Sequence, residues 1–146
     1  MIKISIKNQT LEFQGRAYSI SSAANGVGEV EGSYCTPTGK FKIASMIGTG
    51  LETGAVLVGR VPTGEVYSSE LGKKHPDRDW ILTRILWLEG VEAHNQNTKS
   101  RYIYIHGTPN TTRLGMPGSK GCIRLNNTDM MVLFDAVKVG EEIEIR

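Results

Sequence analysis

Short stretches in which apolar and polar residues alternate make up most of the first half of the chain. Ile2, Ile4 and Ile6 alternate with polar residues, and a second apolar stretch at residues 11–13 follows a polar break at residues 8–9. A repeat of two predicts strands, and the break between them predicts a β-hairpin. Clusters of Gly, Pro, Thr and Ser separate further strands, which we expect at residues 16–21, 39–44, 55–58, 80–88, 101–105 and 142–145.

One stretch near the C-terminus has helical spacing instead. Its apolar residues recur at i, i+3, i+4 and i+7, and they are Met130, Leu133, Phe134 and Val137. Asn126 or Asn127 can cap the start of this helix, and Gly140 is typical of its end. Residues 59–79 and 106–121 have neither spacing and are expected to form long loops, which are often functional. The whole pattern predicts a mainly β fold with one or two helices.

Composition and charge fit a single domain over residues 1–146. The chain is 39% hydrophobic and 22% charged, and its net charge of +2 is too small for the basic surface of a nucleic-acid partner. No apolar stretch approaches the roughly 20 residues of a membrane span. Met1 leads directly into the first predicted strand without the apolar segment of a signal peptide. We therefore expect a cytoplasmic protein, or a periplasmic one if the N-terminus has been trimmed.

Cysteines and histidines are too few and too scattered for a metal site. Cys35 and Cys122 form no CxxC pair and are expected to be free thiols, and His75, His94 and His106 lack the HExxH spacing. We expect neither a metal nor another cofactor.

Cys122 lies in a stretch where strand alternation separates polar from apolar positions. Extended backbone would turn Cys122 and Arg124 to one side and the apolar residues beside them to the other. A thiol has a reference pKa of about 8.5 and needs a base or a cation to become a thiolate nucleophile. An isolated cysteine, by contrast, is more often an inert core residue.

His106 is the base that we expect for this thiol. Alternation over residues 101–105 places Tyr102, Tyr104 and His106 on one face, with His106 at the end of the strand. A lone histidine at a strand end is more often bonded to a backbone carbonyl. A loop that folds back would instead bring His106 to Cys122.

Three motifs follow one another in order along the chain. They are Thr-Pro-Thr-Gly-Lys-Phe at residues 36–41, Tyr-Ile-His-Gly-Thr-Pro at residues 104–109, and Gly-Met-Pro-Gly-Ser-Lys-Gly-Cys-Ile-Arg-Leu at residues 115–125. Together they resemble the L,D-transpeptidase catalytic domain (YkuD-like) of bacterial peptidoglycan metabolism, and the resemblance extends over almost the whole chain. It implies a mixed β sandwich with a helix after the catalytic segment.

The resemblance also implies roles for individual residues. Cys122 corresponds to the nucleophile, His106 to the histidine that activates it, and Gly107 to the residue whose carbonyl orients the imidazole. The backbone N–H groups of Gly121 and Cys122 correspond to an oxyanion hole, which stabilises the charge of a tetrahedral intermediate. Substrate binding is expected from Arg124, Lys120, Ser119, Tyr104 and Arg84.

The expected roles of Lys120 and Arg84 in substrate binding have separate grounds. The family usually has histidine at the position of Lys120, where a cation can attract an anionic peptide or favour the thiolate. Arg84 lies inside an apolar strand, so it either pairs with a carboxylate or faces a cleft.

The resemblance implies acyl transfer on the stem tetrapeptides of peptidoglycan. The Cys122 thiolate would attack the carbonyl of the diamino acid, and His106 would protonate the departing D-Ala, which leaves a thioester on Cys122. Water would complete an L,D-carboxypeptidase reaction on soluble muropeptides, and the amine of a second stem would complete an L,D-transpeptidase crosslink. Because the sequence shows no signal peptide, we expect the carboxypeptidase.

Two further expectations follow from the resemblance. A carbapenem should form a covalent adduct on Cys122. The departure at Lys120 also permits a protein of a different class, a catalytically silent module that binds peptidoglycan. The reactivity of the Cys122 thiol distinguishes this module from either enzyme.

Overall fold

A computed structural model describes all residues, 1–146, and strands dominate it. The elements are β1 (Ile2–Ser5), β2 (Thr10–Phe13), β3 (Arg16–Ser19), β4 (Gly39–Ile47), β5 (Ala55–Val58), β6 (Val61–Val66), α1 (Ser69–Lys74), β7 (Ile81–Gly90), a 3-10 turn (Ala93–Asn95), β8 (Tyr104–Thr108), β9 (Ile123–Asn126), α2 (Asn127–Ala136) and β10 (Glu142–Ile145). The expected mainly β class with one or two helices is confirmed. Neither helix has the length and apolar character needed to cross a membrane.

The ten strands form one curled, mixed sheet. Its order is β3-β2-β1-β10-β4-β7-β5-β6, with β8 added to β7 and β9 added to β8. Most neighbouring strands are antiparallel, whereas β1–β10 and β8–β9 are parallel pairs. Strand β7 pairs with β4, β5 and β8. It therefore connects the main row of strands to the part formed by β8 and β9.

A single large hydrophobic core lies inside the curl. Twenty buried residues form it, and they come from both parts of the sheet and from α2. Phe41 of β4, Ile105 of β8 and Leu133 of α2 are among its fully buried members. Because β8 and β9 share this core, the strands that carry His106 and precede α2 are fixed in position by packing.

The predicted hairpin and the predicted helix are both present. Strands β1 and β2 pair antiparallel, and Ile2 and Ile4 point into the core. The Asn126 side chain caps α2 by accepting a hydrogen bond from the Asp129 N–H at 2.8 Å. The helix ends earlier than the expected Gly140, because Val137 already has extended backbone.

The prediction of a long loop at residues 59–79 is wrong. The chain forms β6 there and then α1, which Ser68 caps by accepting from the Leu71 N–H at 3.1 Å. Strand β6 pairs only with β5 and is exposed along nearly all its length. An exposed edge strand has no buried face, so it shows no alternation in the sequence.

The strand predicted at residues 101–105 is displaced. The backbone turns at Tyr102, which has φ +58° and donates its N–H to the Lys99 carbonyl at 3.0 Å. Strand β8 starts at Tyr104 and continues to Thr108, so His106 lies in the middle of the strand and not at its end. Tyr102 consequently lies outside the strand face that it was predicted to share with His106.

Candidate active site

Strands β7, β8 and β9 bring several of the predicted site residues onto one face of the sheet. Trp87 pairs with Tyr104, and His106 pairs with Arg124. Paired residues on neighbouring strands project to the same face, and so do residues two apart on one strand. Cys122 precedes Arg124 by two residues, so the thiol lies in the row of Tyr104, one step along the strands from the row of His106 and Arg124.

The Cys122 side chain lies against the backbone at the start of β8. The Tyr104 N–H donates to Sγ at 3.3 Å, and the thiol donates to the Tyr102 carbonyl at 3.5 Å. Burial raises the pKa of Cys122 to about 12, against the opposing effect of the Tyr104 N–H, and the charge of Asp79 adds to the rise. Cys122 is therefore a neutral thiol in this state of the site.

His106 is buried and oriented by its neighbour in the chain. Its Nδ1 lies 2.6 Å from the Gly107 carbonyl oxygen, which can only accept a hydrogen bond. Nδ1 therefore carries the proton, and Nε2 of the neutral ring is left as an acceptor. Burial lowers the pKa of His106, although the bond to Gly107 opposes this shift. The ring is thus neutral near pH 7 and able to take a proton.

No hydrogen bond joins Cys122 to His106 in this structure. His106 lies in β8 and Cys122 lies directly before β9, and these adjacent strands are about 4.8 Å apart, with the two residues offset by one step along them. Proton transfer between them requires Sγ to turn away from the Tyr102 carbonyl and toward the imidazole. Such bonds often tighten only when substrate is bound.

The two N–H groups expected to form an oxyanion hole differ in availability. The Gly121 N–H donates to the Ser119 Oγ at 3.1 Å, whereas the Cys122 N–H has no acceptor. The Ser119 hydroxyl in turn donates to the Cys122 carbonyl at 2.6 Å. Ser119 therefore braces the turn before Cys122, and of the two N–H groups only that of Cys122 remains free to donate.

Thr36 has a role in the site that the sequence did not reveal. Its buried hydroxyl donates to the Gly121 carbonyl at 2.9 Å and accepts from the Ala23 N–H at 2.9 Å. Gly121 itself has φ +131°, and a side chain there would lie 3.3 Å from the Cys35 carbonyl. The motif at residues 36–41 thus fixes the turn that presents Cys122. In the sequence, only its place as the first of the three ordered motifs linked it to Cys122.

Arg124 is held at the inner end of a cleft. Its Nη2 donates to the Ser21 Oγ at 2.7 Å, and its buried Nε has no partner. Burial lowers the pKa of Arg124, and the nearby Asp79 carboxylate opposes this shift. A side chain at Gly118 would come within 2.6 Å of Nη2, so the glycine leaves the space that the guanidinium occupies.

The cleft beside Arg124 measures about 480 Å³. One wall consists of α1 and the segment after it, with Lys73, Arg78 and Asp79, and the other contains Thr108 and neighbouring hydroxyls. Arg78 is committed to an ion pair with Glu65 at 2.9 Å. The cleft is therefore polar and cationic, and it arises largely from the segment predicted to be a loop.

The structure does not bring every expected residue into the site. Arg84 is buried and donates to the Leu51 and Thr83 carbonyls, both at 2.7 Å, with the guanidinium 5.5 Å from the Phe134 ring centroid. It pairs with no carboxylate and does not line the cleft, so neither environment expected for Arg84 is present. Lys120 is exposed, and its role stays a prediction.

Tyr104, which was also expected to bind substrate, has its hydroxyl engaged by another residue of the chain. It is buried, and its hydroxyl accepts a hydrogen bond from Arg60 Nη1 at 3.0 Å. Burial raises the pKa of Tyr104, partly offset by the Arg60 cation. Tyr104 thus contacts Cys122 through its backbone N–H and contacts Arg60, at the tip of the β5–β6 hairpin, through its hydroxyl.

The lowered pKa of His106 predicts a loss of stability in mild acid. Between the folded pKa and the unfolded value of about 6.5, the unfolded chain binds a proton that the folded protein does not. The free energy of unfolding should therefore fall as pH drops below about 6.5. His106→Gln should show a smaller decrease between pH 7 and 5.5 in urea unfolding, whereas the exposed control His94→Gln should keep it. An unchanged pH slope in His106→Gln would contradict this cause.

A thiol and a neutral imidazole with a free Nε2 share one face of the sheet, and an unpaired backbone N–H lies beside the thiol. This is the set of groups that cysteine-dependent acyl transfer uses. The sequence comparisons agree with this class: residues 1–145 match the YkuD family, the L,D-transpeptidase catalytic domain. The chain belongs to the L,D-transpeptidase catalytic domain family.

Individual relatives support the same assignment. Over 45 residues, 31% of this chain, it is 47% identical to the probable L,D-transpeptidase ErfK/SrfK of Salmonella typhimurium and to that of Escherichia coli K12. The matched stretch covers 15% and 14% of those two proteins.

Solved structures resemble the fold over nearly the whole chain. An L,D-transpeptidase of Xylanimonas cellulosilytica superposes with a TM-score of 0.61 at 18% identity, covering 99% of this chain and 59% of that one. L,D-transpeptidase 3 of Mycobacterium tuberculosis gives 0.60 at 19% identity, with 99% and 60% covered. This chain therefore spans less than two thirds of the length of these relatives.

Proposed function

We propose that the protein is a cysteine-dependent L,D-carboxypeptidase that releases the terminal D-Ala from stem tetrapeptides of soluble muropeptides. The observation that carries this proposal is the shared face of Cys122 and His106, with the Cys122 N–H unpaired and a cationic cleft alongside. Stem peptides are anionic, which suits the Lys73 and Arg124 side chains that line the cleft.

The first half of the reaction forms a thioester. His106 Nε2 takes the thiol proton, and Sγ attacks the carbonyl carbon of the diamino acid. The oxyanion accepts a hydrogen bond from the Cys122 N–H. The carbon–nitrogen bond then breaks, the imidazolium gives its proton to the departing amine, and the acyl group stays on Sγ.

The second half regenerates the enzyme. Water attacks the thioester carbon and loses a proton to His106, the carbon–sulfur bond breaks, and the proton returns to Sγ. The raised pKa of Cys122 and the lowered pKa of His106 oppose formation of a thiolate–imidazolium ion pair. Substrate binding must therefore favour the turn of Sγ toward the imidazole.

The surroundings of Cys122 differ on its two sides. The cleft on the Arg124 side can hold one stem peptide. On the other side of the thiol, Arg60 covers Trp87 and Tyr102, with its guanidinium carbon 4.6 Å and 5.0 Å from their ring centroids.

Transpeptidation is the second candidate function. The relatives of Salmonella typhimurium and Escherichia coli K12 are both named as probable L,D-transpeptidases. In that case the amine of a second stem would replace water in the second half-reaction, and the product would be a crosslinked dimer.

Mass spectrometry with a disaccharide tetrapeptide separates these functions. With purified protein and no acceptor, we expect loss of D-Ala to give a tripeptide. Addition of an acceptor stem should leave this product unchanged, whereas accumulation of a dimer would establish the transpeptidase. Absence of both products, together with a thiol that fails to react, would indicate the silent binding module.

A carbapenem is expected to add one covalent equivalent to the protein, located on Cys122. Relatives support this: L,D-transpeptidase LdtMt1 has been solved in complex with imipenem, and L,D-transpeptidase 3 of Mycobacterium tuberculosis with a faropenem-derived adduct. Intact mass and peptide mapping measure the adduct, with Cys122→Ser as the control. An adduct on Cys35 would contradict the assignment of the nucleophile.

A further inference from the structure

We propose that Arg60 binds the carboxylate of the amino acid that leaves when the thioester forms, and so selects peptides with a free C-terminus. This proposal rests on the proposed acyl transfer at Cys122 and adds a specificity-determining residue to it. Neither the three sequence motifs nor the expected site residues include Arg60.

The backbone directs Arg60 back over the sheet. Val58 and Val61 pair at the end of the β5–β6 hairpin, so Gly59 and Arg60 form a two-residue turn. Both have positive φ, +56° and +66°, as a type I′ turn requires. Arginine is rarely found in this conformation, so the contacts of its side chain help to hold it.

Three aromatic residues fix the guanidinium. It lies over the rings of Trp87 and Tyr102, and its Nη1 donates to the Tyr104 hydroxyl at 3.0 Å. Tyr102 also has positive φ, so a second unusual backbone conformation contributes to the same cluster. The guanidinium is therefore held in one orientation before any ligand arrives.

Most of the donors of Arg60 remain available. A guanidinium has five N–H donors, and the contact with Tyr104 uses one. None of the ion pairs of the chain includes Arg60, whereas Arg78 in the cleft is paired with Glu65. An oriented arginine without a carboxylate partner is suited to bidentate binding of a carboxylate.

The position of Arg60 assigns it to the leaving residue. The Tyr104 backbone N–H contacts the Cys122 Sγ, and the Tyr104 hydroxyl contacts Arg60. Arg60 thus lies at the thiol end of the site face, and the cleft lies at the Arg124 end. If the retained stem occupies the cleft, the residue beyond the scissile bond must extend toward Arg60.

A carboxylate fits this surface better than a sugar ring does. A sugar would need an open aromatic face, but Arg60 lies over both Trp87 and Tyr102, and the Lys99 ammonium is 5.2 Å from the Trp87 ring centroid. Two cations at the surface attract an anion, and neither has to move away for it to bind.

The test compares a tetrapeptide with a free C-terminus and the same peptide with a C-terminal amide. Wild type should favour the free carboxylate by about 10-fold or more in kcat/KM, the range of one hydrogen bond to a charged group. Arg60→Gln should lose this preference through a higher KM for the carboxylate and an unchanged rate on the amide. Arg60→Lys should restore part of it. Arg16→Gln is the matched control, because Arg16 makes the same kind of contact with Tyr18 in β3, 5.4 Å from the ring centroid.

Two results would overturn the proposal. One is a wild type that does not distinguish the two peptides, and the other is an equal loss on both peptides in Arg60→Gln. Calorimetric binding of both peptides to Cys122→Ser measures recognition of the carboxylate without turnover. If wild type has no activity, the proposed function fails, but a carboxylate preference in binding that depends on Arg60 would still support the site. Equal binding of the two peptides would contradict the proposed carboxylate site.

Discussion

Cys122→Ser should lower kcat/KM at least about 1000-fold and leave the fold unchanged. A hydroxyl is far less acidic than a thiol, and His106, whose own pKa is lowered by burial, is too weak a base to ionise it. The fold should persist because a serine oxygen can accept the Tyr104 N–H bond that Sγ accepts at 3.3 Å. Kinetics with the tetrapeptide and circular dichroism measure the two effects.

Cys35→Ser is the matched control for this prediction. Both cysteines are free thiols, and Cys35 contacts the carbonyls of Asn25 and Ser33 in a loop before β4. The same substitution there should change kcat/KM by less than a few-fold. Activity of Cys122→Ser within a few-fold of wild type would show that the protein does not use this thiol.

The part of the site predicted from sequence follows from strand alternation. Ile123 and Leu125 are buried, and Cys122 and Arg124 are only half-buried, as the alternation at residues 122–125 indicates. Such a pattern can be recognised in the sequence because one face of the strand packs in the core and the other does not. The approach of His106 required the motifs, since pairing of β8 with β9 brings together residues far apart in the sequence.

The cleft could not be predicted, because its walls lack a buried face. Strand β6 is exposed and α1 has no buried residue, so neither leaves an apolar repeat in the sequence.

The turn at Tyr102 could not be predicted for a different reason. Ile103 and Ile105 are both buried and continue the alternation across the turn, although the strand itself begins only at Tyr104. Periodicity reports burial and not hydrogen bonding, so it placed this strand too early.

Gly107→Ala should cost stability at the upper end of the roughly 1–3 kcal/mol typical of overpacking. A Cβ at Gly107 would lie 2.6 Å from the Leu82 carbonyl oxygen and would also collide with the Asn127 Oδ1. The carbonyl belongs to β7, so relief of this contact requires the strand pair to separate. Movement of Gly107 also shifts the acceptor of the His106 Nδ1–H, and kcat/KM should fall by about 10-fold or more as a result.

The surroundings of Gly107 leave little capacity to adjust. The Thr83 hydroxyl donates to the Asn127 Oδ1 at 2.7 Å and accepts from the Gly54 N–H at 2.9 Å. Thr83 is fully buried with φ +74°, a strained conformation for a β-branched residue. Displacement of Asn127 would break this chain of bonds and leave a buried hydroxyl without its acceptor.

Urea unfolding and tetrapeptide kinetics measure the two effects, with Gly28→Ala as control. A Cβ at Gly28 meets only the Cys35 side chain, at 3.2 Å and 3.4 Å, and this side chain is partly exposed and can move. Gly107→Ala with the stability of wild type would show that β7 adjusts freely. The double variant Gly107→Ala/Asn127→Ala identifies the limiting contact. It should stay as unstable as the single variant, because removal of the amide leaves the Leu82 carbonyl in place, and recovery of stability would assign the cost to Asn127.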